Sequence, residues 1–156
     1  MTPAIRMAEQ AGACFNVHEY NHDADAQSYG LEAAEKLGVE PSRVFKTLVV
    51  SLEPGGLAVA VVPVTHDLSL KQLARAAKVK KAAMADPGEV QRSTGYVLGG
   101  VSPLGQKKTL PTFLDATAAG FDTIYVSAGR RGLEIELAPT VLLELTGAQL
   151  ALLHAD

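Results

Sequence analysis

Residues 44–52, VFKTLVVSL, and residues 57–64, LAVAVVPV, are separated only by Glu53-Pro54-Gly55-Gly56. Two apolar runs of strand length around a Pro-Gly turn predict a β-hairpin. Neither run alternates regularly with polar residues, so the hairpin is mostly buried and needs cover on both faces. The exceptions are Lys46 and Thr47, near the start of the first run. Long charged side chains are rarely buried unless paired. Two readings fit Lys46: a side chain that snorkels from a sheet edge, or a cation held over a site.

The rest of the chain supplies the cover. Thr2-Pro3 predicts a helix start, with Thr as cap and Pro at the first helical position, and Gly12 its end. Residues 15–20 alternate as a strand, and residues 21–27 form a polar loop. A second helix is expected over residues 28–37, stopped by Gly38. Ser69 with Gln72 makes a capping-box pattern for a helix over residues 69–78, and Asp86-Pro87-Gly88-Glu89 repeats the start signal. Short strands are expected at residues 79–84, 96–98, 111–115, 123–127 and 133–137, with Gly129-Arg130-Arg131-Gly132 as a tight basic turn. Pro139 opens a last helix to Leu145. Hairpins outnumber crossover units. The expected fold is therefore α/β of the α+β kind: a mixed, curved, barrel-like β-sheet surrounded by helices, not a doubly wound parallel sheet. With 156 residues, the chain reads as a single domain, 1–156.

The usual carriers of chemistry are few. Cys14 is the only cysteine, which excludes an internal disulfide framework and a multi-cysteine zinc site. His18 and His22 are four apart, but on a strand and a loop rather than a helix, so the spacing does not imply a metal pair. No serine sits in a G-x-S-x-G elbow. No metal and no cofactor are expected. No apolar run approaches the ~20 residues of a membrane span, and the opening MTPAIRMAEQ lacks a secretory apolar region. The expected location is cytoplasmic, with no membrane partner.

Charge is distributed unevenly. Residues 1–65 carry four basic and eight acidic side chains, residues 66–108 eight and three, and residues 109–156 two and six. A block of net +5 thus sits inside a chain of net −3. Phosphate contact needs local positive charge rather than a high overall pI. Lys71 and Arg75 fit an ordinary solvated helix face. The cluster Lys78, Lys80 and Lys81 fits that reading less well.

Within this block lies RSTGYVLGGVSPLGQKK, residues 92–108. Gly95, Gly99, Gly100 and Gly105 allow close approach to the main chain, and Lys107 and Lys108 close the stretch. A surface loop with turn glycines is one reading. The other is a backbone N–H cradle for an anion or a developing oxyanion.

Four pieces carry a resemblance: HEY ending at Tyr20, VFKTLVV around Lys46, ADPGEVQRSTGYVLGGVSPLGQKK, and TIYVSAGRRGLEIEL. In this order, spanning nearly the whole chain, they resemble the YbaK/EbsC family of free-standing Cys-tRNA(Pro) deacylases, related to the editing domain of prolyl-tRNA synthetases. The resemblance implies a site between the strand lysine, Lys46, and the loop glycines Gly99 and Gly100. Thr47, Tyr20 and the Ser127 hydroxyl would bind substrate there. So would Glu134, at a position where close relatives carry aspartate. Lys78, Lys80, Lys81, Lys107, Lys108, Arg130 and Arg131 would contact tRNA. The family also contains relatives that remove alanine, but the S-T-G-Y and G-G-V-S-P-L-G-Q-K-K wording fits the cysteine branch better.

The resemblance also implies a mechanism. Cysteine is no larger than proline, so a synthetase pocket cannot exclude it sterically, and the wrong product must be hydrolysed. In the family's proposed answer the cysteinyl thiol attacks its own ester, releasing tRNA. Aminoacyl-tRNA(Pro) is then the partner, with prolyl-tRNA synthetase in a ternary complex as a further one. A non-catalytic tRNA- or synthetase-binding module is the rival reading.

Overall fold

The computed structural model describes residues 1–26 and 28–156; of the loop expected over residues 21–27, Gln27 lies outside the described residues. Five helices and eight strands follow in the order α1 (Pro3–Gln10), β1 (Phe15–Glu19), α2 (Tyr29–Leu37), β2 (Phe45–Glu53), β3 (Leu57–Pro63), α3 (Leu70–Ala77), β4 (Lys81–Met84), α4 (Pro87–Thr94), β5 (Thr112–Asp115), β6 (Ile124–Arg130), β7 (Leu133–Leu137), α5 (Pro139–Thr146) and β8 (Gln149–Ala151). Single 3-10 turns lie at Pro41–Arg43 and Ala116–Gly120. Four helices start on a side-chain cap: Thr2, Ser28, Ser69 and Asp86 accept from the backbone N–H groups of Ile5, Leu31, Gln72 and Glu89. Each cap satisfies a donor that the helix itself leaves open.

The β2–β3 hairpin is the centre of a five-stranded mixed sheet ordered β4-β2-β3-β5-β8. β2 and β3 pair antiparallel, with Lys46 opposite Val62 and Val50 opposite Ala58. β3–β5 and β5–β8 are parallel. A second, antiparallel sheet is ordered β1-β7-β6. The mixed α/β architecture is as expected, but the strands form two sheets rather than one closed surface. A parallel bridge between Val44 and Tyr125 links them at one margin.

Both faces of the hairpin are covered. Phe45, Val49, Val59 and Val61 share one core with Val126, Ala128, Leu133 and Ile135 of the second sheet. The alternate positions Val50, Ala58, Ala60 and Val62 pack against Leu73 and Ala74 of α3. This two-sided burial is the physical reason the two runs are so uniformly apolar. A third cluster seats Ala33 and Ala34 of α2 on Val44 and Tyr125, fixing α2 across the junction of the two sheets.

Residues 96–98 are not the buried strand expected from their apolar side chains. Tyr96 is buried and its hydroxyl donates to the Leu104 carbonyl at 2.6 Å, but Val97 is 57% and Leu98 50% exposed. The chain turns there instead, the Gly100 N–H donating to the Val97 carbonyl at 3.0 Å. Gly105, at φ 66°, then passes against α1; a Cβ there would sit 2.5 Å from the Pro3 carbonyl carbon. No helix among the described residues is long and apolar enough to cross a membrane.

Candidate active site

A cavity of ≈ 330 Å³ opens beside the junction of the two sheets, beneath the start of α2. Its wall combines residues distant in sequence: Tyr20 after β1, residues 28–30 at the start of α2, residues 44–48 where the chain enters β2, Leu98 and Gly99 from the turn, Ser127 of β6 and Glu134 of β7. The structure thus brings together Tyr20, Lys46, Thr47, Gly99, Ser127 and Glu134.

The strand pattern of β7 explains where Glu134 goes. Leu133, Ile135 and Leu137 face the core, so Glu134 and Glu136 point to the opposite face. Glu136 is held there by His18 Nε2 at 2.9 Å, by the Thr123 hydroxyl at 2.6 Å and by Arg43. Glu134, opposite Ser127 in the register, has no hydrogen-bond partner among the described residues and is 7% exposed. Burial pushes its carboxyl up to about 8. It is therefore largely protonated at neutral pH, a neutral donor rather than an anion. The Tyr20 hydroxyl is also pushed up, to about 12, first by burial and then by the nearby Glu134.

Lys46 is half-buried, and no carboxylate lies within ion-pair range of it among the described residues. Glu134 makes no ion pair with it, and burial favours the neutral form of that acid, so the lysine charge is not cancelled by the cavity wall. Thr47 Oγ1 is buried without a hydrogen-bond partner. An unmet buried hydroxyl costs about 1–3 kcal/mol, which a polar group of a ligand would recover. Ser127 Oγ accepts from the Gly129 N–H at 3.1 Å, inside a bulge between Ser127 and Arg130.

The two loop glycines part company. Gly99, at φ 89°, lines the cavity, and its N–H has no protein acceptor among the described residues. A Cβ on Gly99 would lie 2.5 Å from Arg131 Nε and 2.7 Å from the Tyr29 ring. Gly100 is a correction to the expected donor pair. Its N–H is spent on Val97, and it does not line the cavity. It is a packing residue: a Cβ there would meet the Arg130 Cα at 2.9 Å.

The basic residues also separate. Arg131 lies at the cavity mouth, its guanidinium carbon 4.0 Å from the centroid of the Tyr29 ring. Lys107 and Lys108 are exposed beside the end of α4, their N–H groups bonded to the Thr94 and Ser93 carbonyls. Lys78, Lys80 and Lys81 are not near the cavity. Lys81 pairs with Glu53, seven residues along β2 from Lys46, which at ~3.3 Å per residue is roughly 23 Å. The sequence cluster is a distal one because α3 and β4 return the chain to the far end of the hairpin.

Tyr29 is a lining residue that sequence reasoning missed. It reads as an ordinary first helical residue, and only the αL turn at Gly99 shows that its ring forms the cavity mouth. The histidines are engaged elsewhere. His22 Nδ1 lies 2.6 Å from Glu32, and His154 Nδ1 lies 3.0 Å from the buried Asp115.

With this geometry established, known proteins offer a comparison. EbsC of Enterococcus faecalis, a proposed Cys-tRNA(Pro)/Cys-tRNA(Cys) deacylase, is 43% identical over 150 residues, covering 96% of this chain and 91% of its own. YwhH of Bacillus subtilis, an uncharacterised protein, is 34% identical over 116 residues, 74% of this chain and 73% of its own. The crystal structure of a proposed trans-editing enzyme for prolyl-tRNA synthetase superposes with a TM-score of 0.86 at 29% identity, covering 100% of this chain and 99% of the other. Residues 24–145 match the aminoacyl-tRNA editing domain, a span that contains Lys46, Thr47, Gly99, Ser127 and Glu134, and the chain belongs to that family.

Proposed function

We propose that this protein is a deacylase that clears Cys-tRNA(Pro) by letting the substrate's thiol attack its own ester. One observation carries the reading. The cavity holds a cation, a neutral carboxyl and hydroxyls, but no imidazole and no thiol among the described lining residues. A serine is present, yet Ser127 Oγ accepts from the Gly129 N–H and makes no hydrogen bond to a side-chain base among the described residues. Such a wall binds and orients; it does not activate a protein nucleophile.

A volume of ≈ 330 Å³ admits an aminoacyl group with part of the terminal ribose, not the tRNA body. Held there, the thiol and the carbonyl react within one molecule, where alignment supplies a large effective concentration. The sulfur bonds to the carbonyl carbon, the ester C–O bond breaks, and the ribose oxygen leaves with a proton as free tRNA. The other product is a cyclic thioester. Lys46 stabilises the thiolate or the terminal phosphate and ribose, and the Gly99 N–H donates to the carbonyl oxygen. Glu134, as a neutral acid, and Ser127 and Tyr20 orient the aminoacyl group. Thr47's unmet hydroxyl favours a side chain that can hydrogen-bond, which weighs against alanine. Prolyl-tRNA synthetase is the partner that presents the tRNA in a ternary complex. The relative described as a trans-editing enzyme for that synthetase supports this reading.

The test compares single-turnover cleavage of Cys-tRNA(Pro) and Ser-tRNA(Pro) at saturating protein, so that binding does not mask chemistry. Serine differs by one atom and fits the same space, but its hydroxyl is a far poorer nucleophile. The expected result is fast loss of the cysteinyl ester and almost none of the seryl ester. Comparable rates, or efficient cleavage of an S-methylcysteinyl ester, would mean that water is the nucleophile. No cleavage of any aminoacyl-tRNA(Pro) would leave a binding module.

A further inference from the structure

Leu98 lines the cavity on one side and a second, open groove of ≈ 510 Å³ on the other, bounded by Pro87, Gln91, Val97, Arg130 and Arg131. The two spaces therefore meet at one residue. The groove has two kinds of surface. Its floor includes two exposed apolar side chains, Val97 and Leu98, which a free loop would not be expected to place together in water. Its wall is Arg130 and Arg131, both exposed and without a carboxylate in ion-pair range among the described residues. No acidic residue lines it. The two acids at the start of α4 are Asp86, which caps the helix, and Glu89 in its first turn, and neither lines the groove.

The sill between cavity and groove is itself ordered. The Arg131 guanidinium sits over the Tyr29 ring, its carbon 4.0 Å from the centroid, and donates to the Leu98 carbonyl at 3.3 Å. Gly99 lacks the Cβ that would disrupt this stack. Apolar floor, planar cation and unpaired arginine are the features that hold single-stranded nucleic acid: bases lie on flat or apolar surface while phosphates meet fixed positive charge.

We propose that this groove takes the unpaired 3′ end of the acceptor strand as it leaves the cavity, with a base on Val97 and Leu98 and a phosphate on Arg130. The proposal rests on the deacylase reading, because that reading puts the terminal ribose in the cavity. It gives the strand a direction: over Leu98 toward α4, and away from Lys78, Lys80 and Lys81 at the far end of β2.

The test is binding of a 5′-fluorescein-labelled CCA ribotrinucleotide to the full chain as a function of salt. Val97→Asp alters an exposed side chain and is expected to weaken binding about tenfold, the scale of one base contact. Arg130→Gln is expected to lower the log–log salt slope by about 0.7, one phosphate on a single strand. The triple change of Lys78, Lys80 and Lys81 to Gln is expected to leave trinucleotide affinity unchanged. Wild-type affinity and slope in both groove variants, loss of affinity in the triple variant, or no trinucleotide binding by the wild-type chain would overturn the proposal. So would sedimentation showing a dimer that Val97→Asp dissociates, since the groove would then hold a second copy. Wild-type cleavage of 3′-O-cysteinyl-adenosine, measured in parallel, separates the two ideas. Cleavage with unaltered groove variants removes the groove alone, whereas groove-dependent binding without cleavage removes the deacylase alone.

Discussion

Replacing Glu134 by glutamine isolates the consequence of burying an acid in the cavity wall. Burial moves this carboxyl from its ordinary 4.5 to about 8. Between those values the native protein keeps a proton that the unfolded chain has released. The native state thus binds more protons, and stability must fall as pH rises through this window. At about 1.4 kcal/mol per pH unit the shift corresponds to a loss on the order of 5 kcal/mol by pH 8. This is a ceiling, because an ionised Glu134 can draw water in through the cavity mouth. Glutamine has nearly the same volume and no proton to lose. Glu134→Gln should match the wild type near pH 4 and exceed it increasingly up to about pH 8, above which the difference levels off.

The acid side belongs to other groups. Burial alone would raise Glu32, Asp115 and Glu136, but hydrogen bonds outweigh it and hold all three below their ordinary range. The bonds come from the Asp23 N–H and His22 to Glu32, from Thr117, the Leu153 N–H and His154 to Asp115, and from Thr123 and His18 to Glu136. Their contribution is present above the unfolded carboxyl range and is lost as pH falls through the lowered native values. Urea melts of both proteins from pH 3 to 9 therefore have a definite expected form: one shared acid limb, and an alkaline decline confined to the wild type. Parallel curves above pH 5 would refute the burial argument, and with it the claim that Glu134 is neutral when the protein works.

Lys46→Met keeps the aliphatic stem and removes the charge; deacylation should fall by at least about a hundredfold, a loss typical of a key electrostatic contact, while the melting temperature holds or rises, and full activity would show that Lys46 merely snorkels. Gly99→Ala should displace Arg131 and Tyr29 and cost activity with about 1–2 kcal/mol of stability from the αL backbone. Gly105→Ala, which drives a Cβ into the Pro3 backbone, should destabilise more than Gly99→Ala, and the reverse order in urea melts would contradict this packing. Asp115→Ala should cost about 3–5 kcal/mol by breaking a buried charged network that ties Leu153 and His154 to β5, yet cleavage by the folded fraction should not change.

Much of this was legible in the chain because local rules and burial agree. The caps at Thr2, Ser69 and Asp86 are stated by short side-chain patterns, and the central hairpin by its two-sided hydrophobicity. Residues 96–98 failed because three apolar side chains read as a strand, whereas the αL angle at Gly99 breaks the extension and leaves two of them facing outward. The place of Lys78, Lys80 and Lys81, away from the cavity, was hidden for a different reason. Closeness in sequence to the Gly-rich loop says nothing about which end of β2 a returning strand reaches, and the β2–β4 register decides that. Gly100 looked like a twin of Gly99 because spacing cannot tell a free N–H from one closed into a turn. The hydroxyl at Ser127 and the carboxyl at Glu134 are paired across strands, so neither sequence separation nor periodicity places them in one wall.

Lys46 and Glu134 are best understood together. Had the acid been ionised within reach of the lysine, the pair would have satisfied itself, and a ligand would have needed to break it before using either group. Burial pushes the carboxyl toward its neutral form and no ion pair joins the two groups, so the lysine's positive charge stays uncompensated until a substrate arrives. The cavity is then positive at neutral pH in a chain of net charge −3. That polarity favours whatever develops negative charge inside it: a thiolate, a carbonyl oxygen under attack, or the phosphate behind the ribose. A wall that stabilises charge without supplying a nucleophile discriminates by what the substrate brings. Such a site can tell cysteine from amino acids of the same size, which steric exclusion alone cannot do.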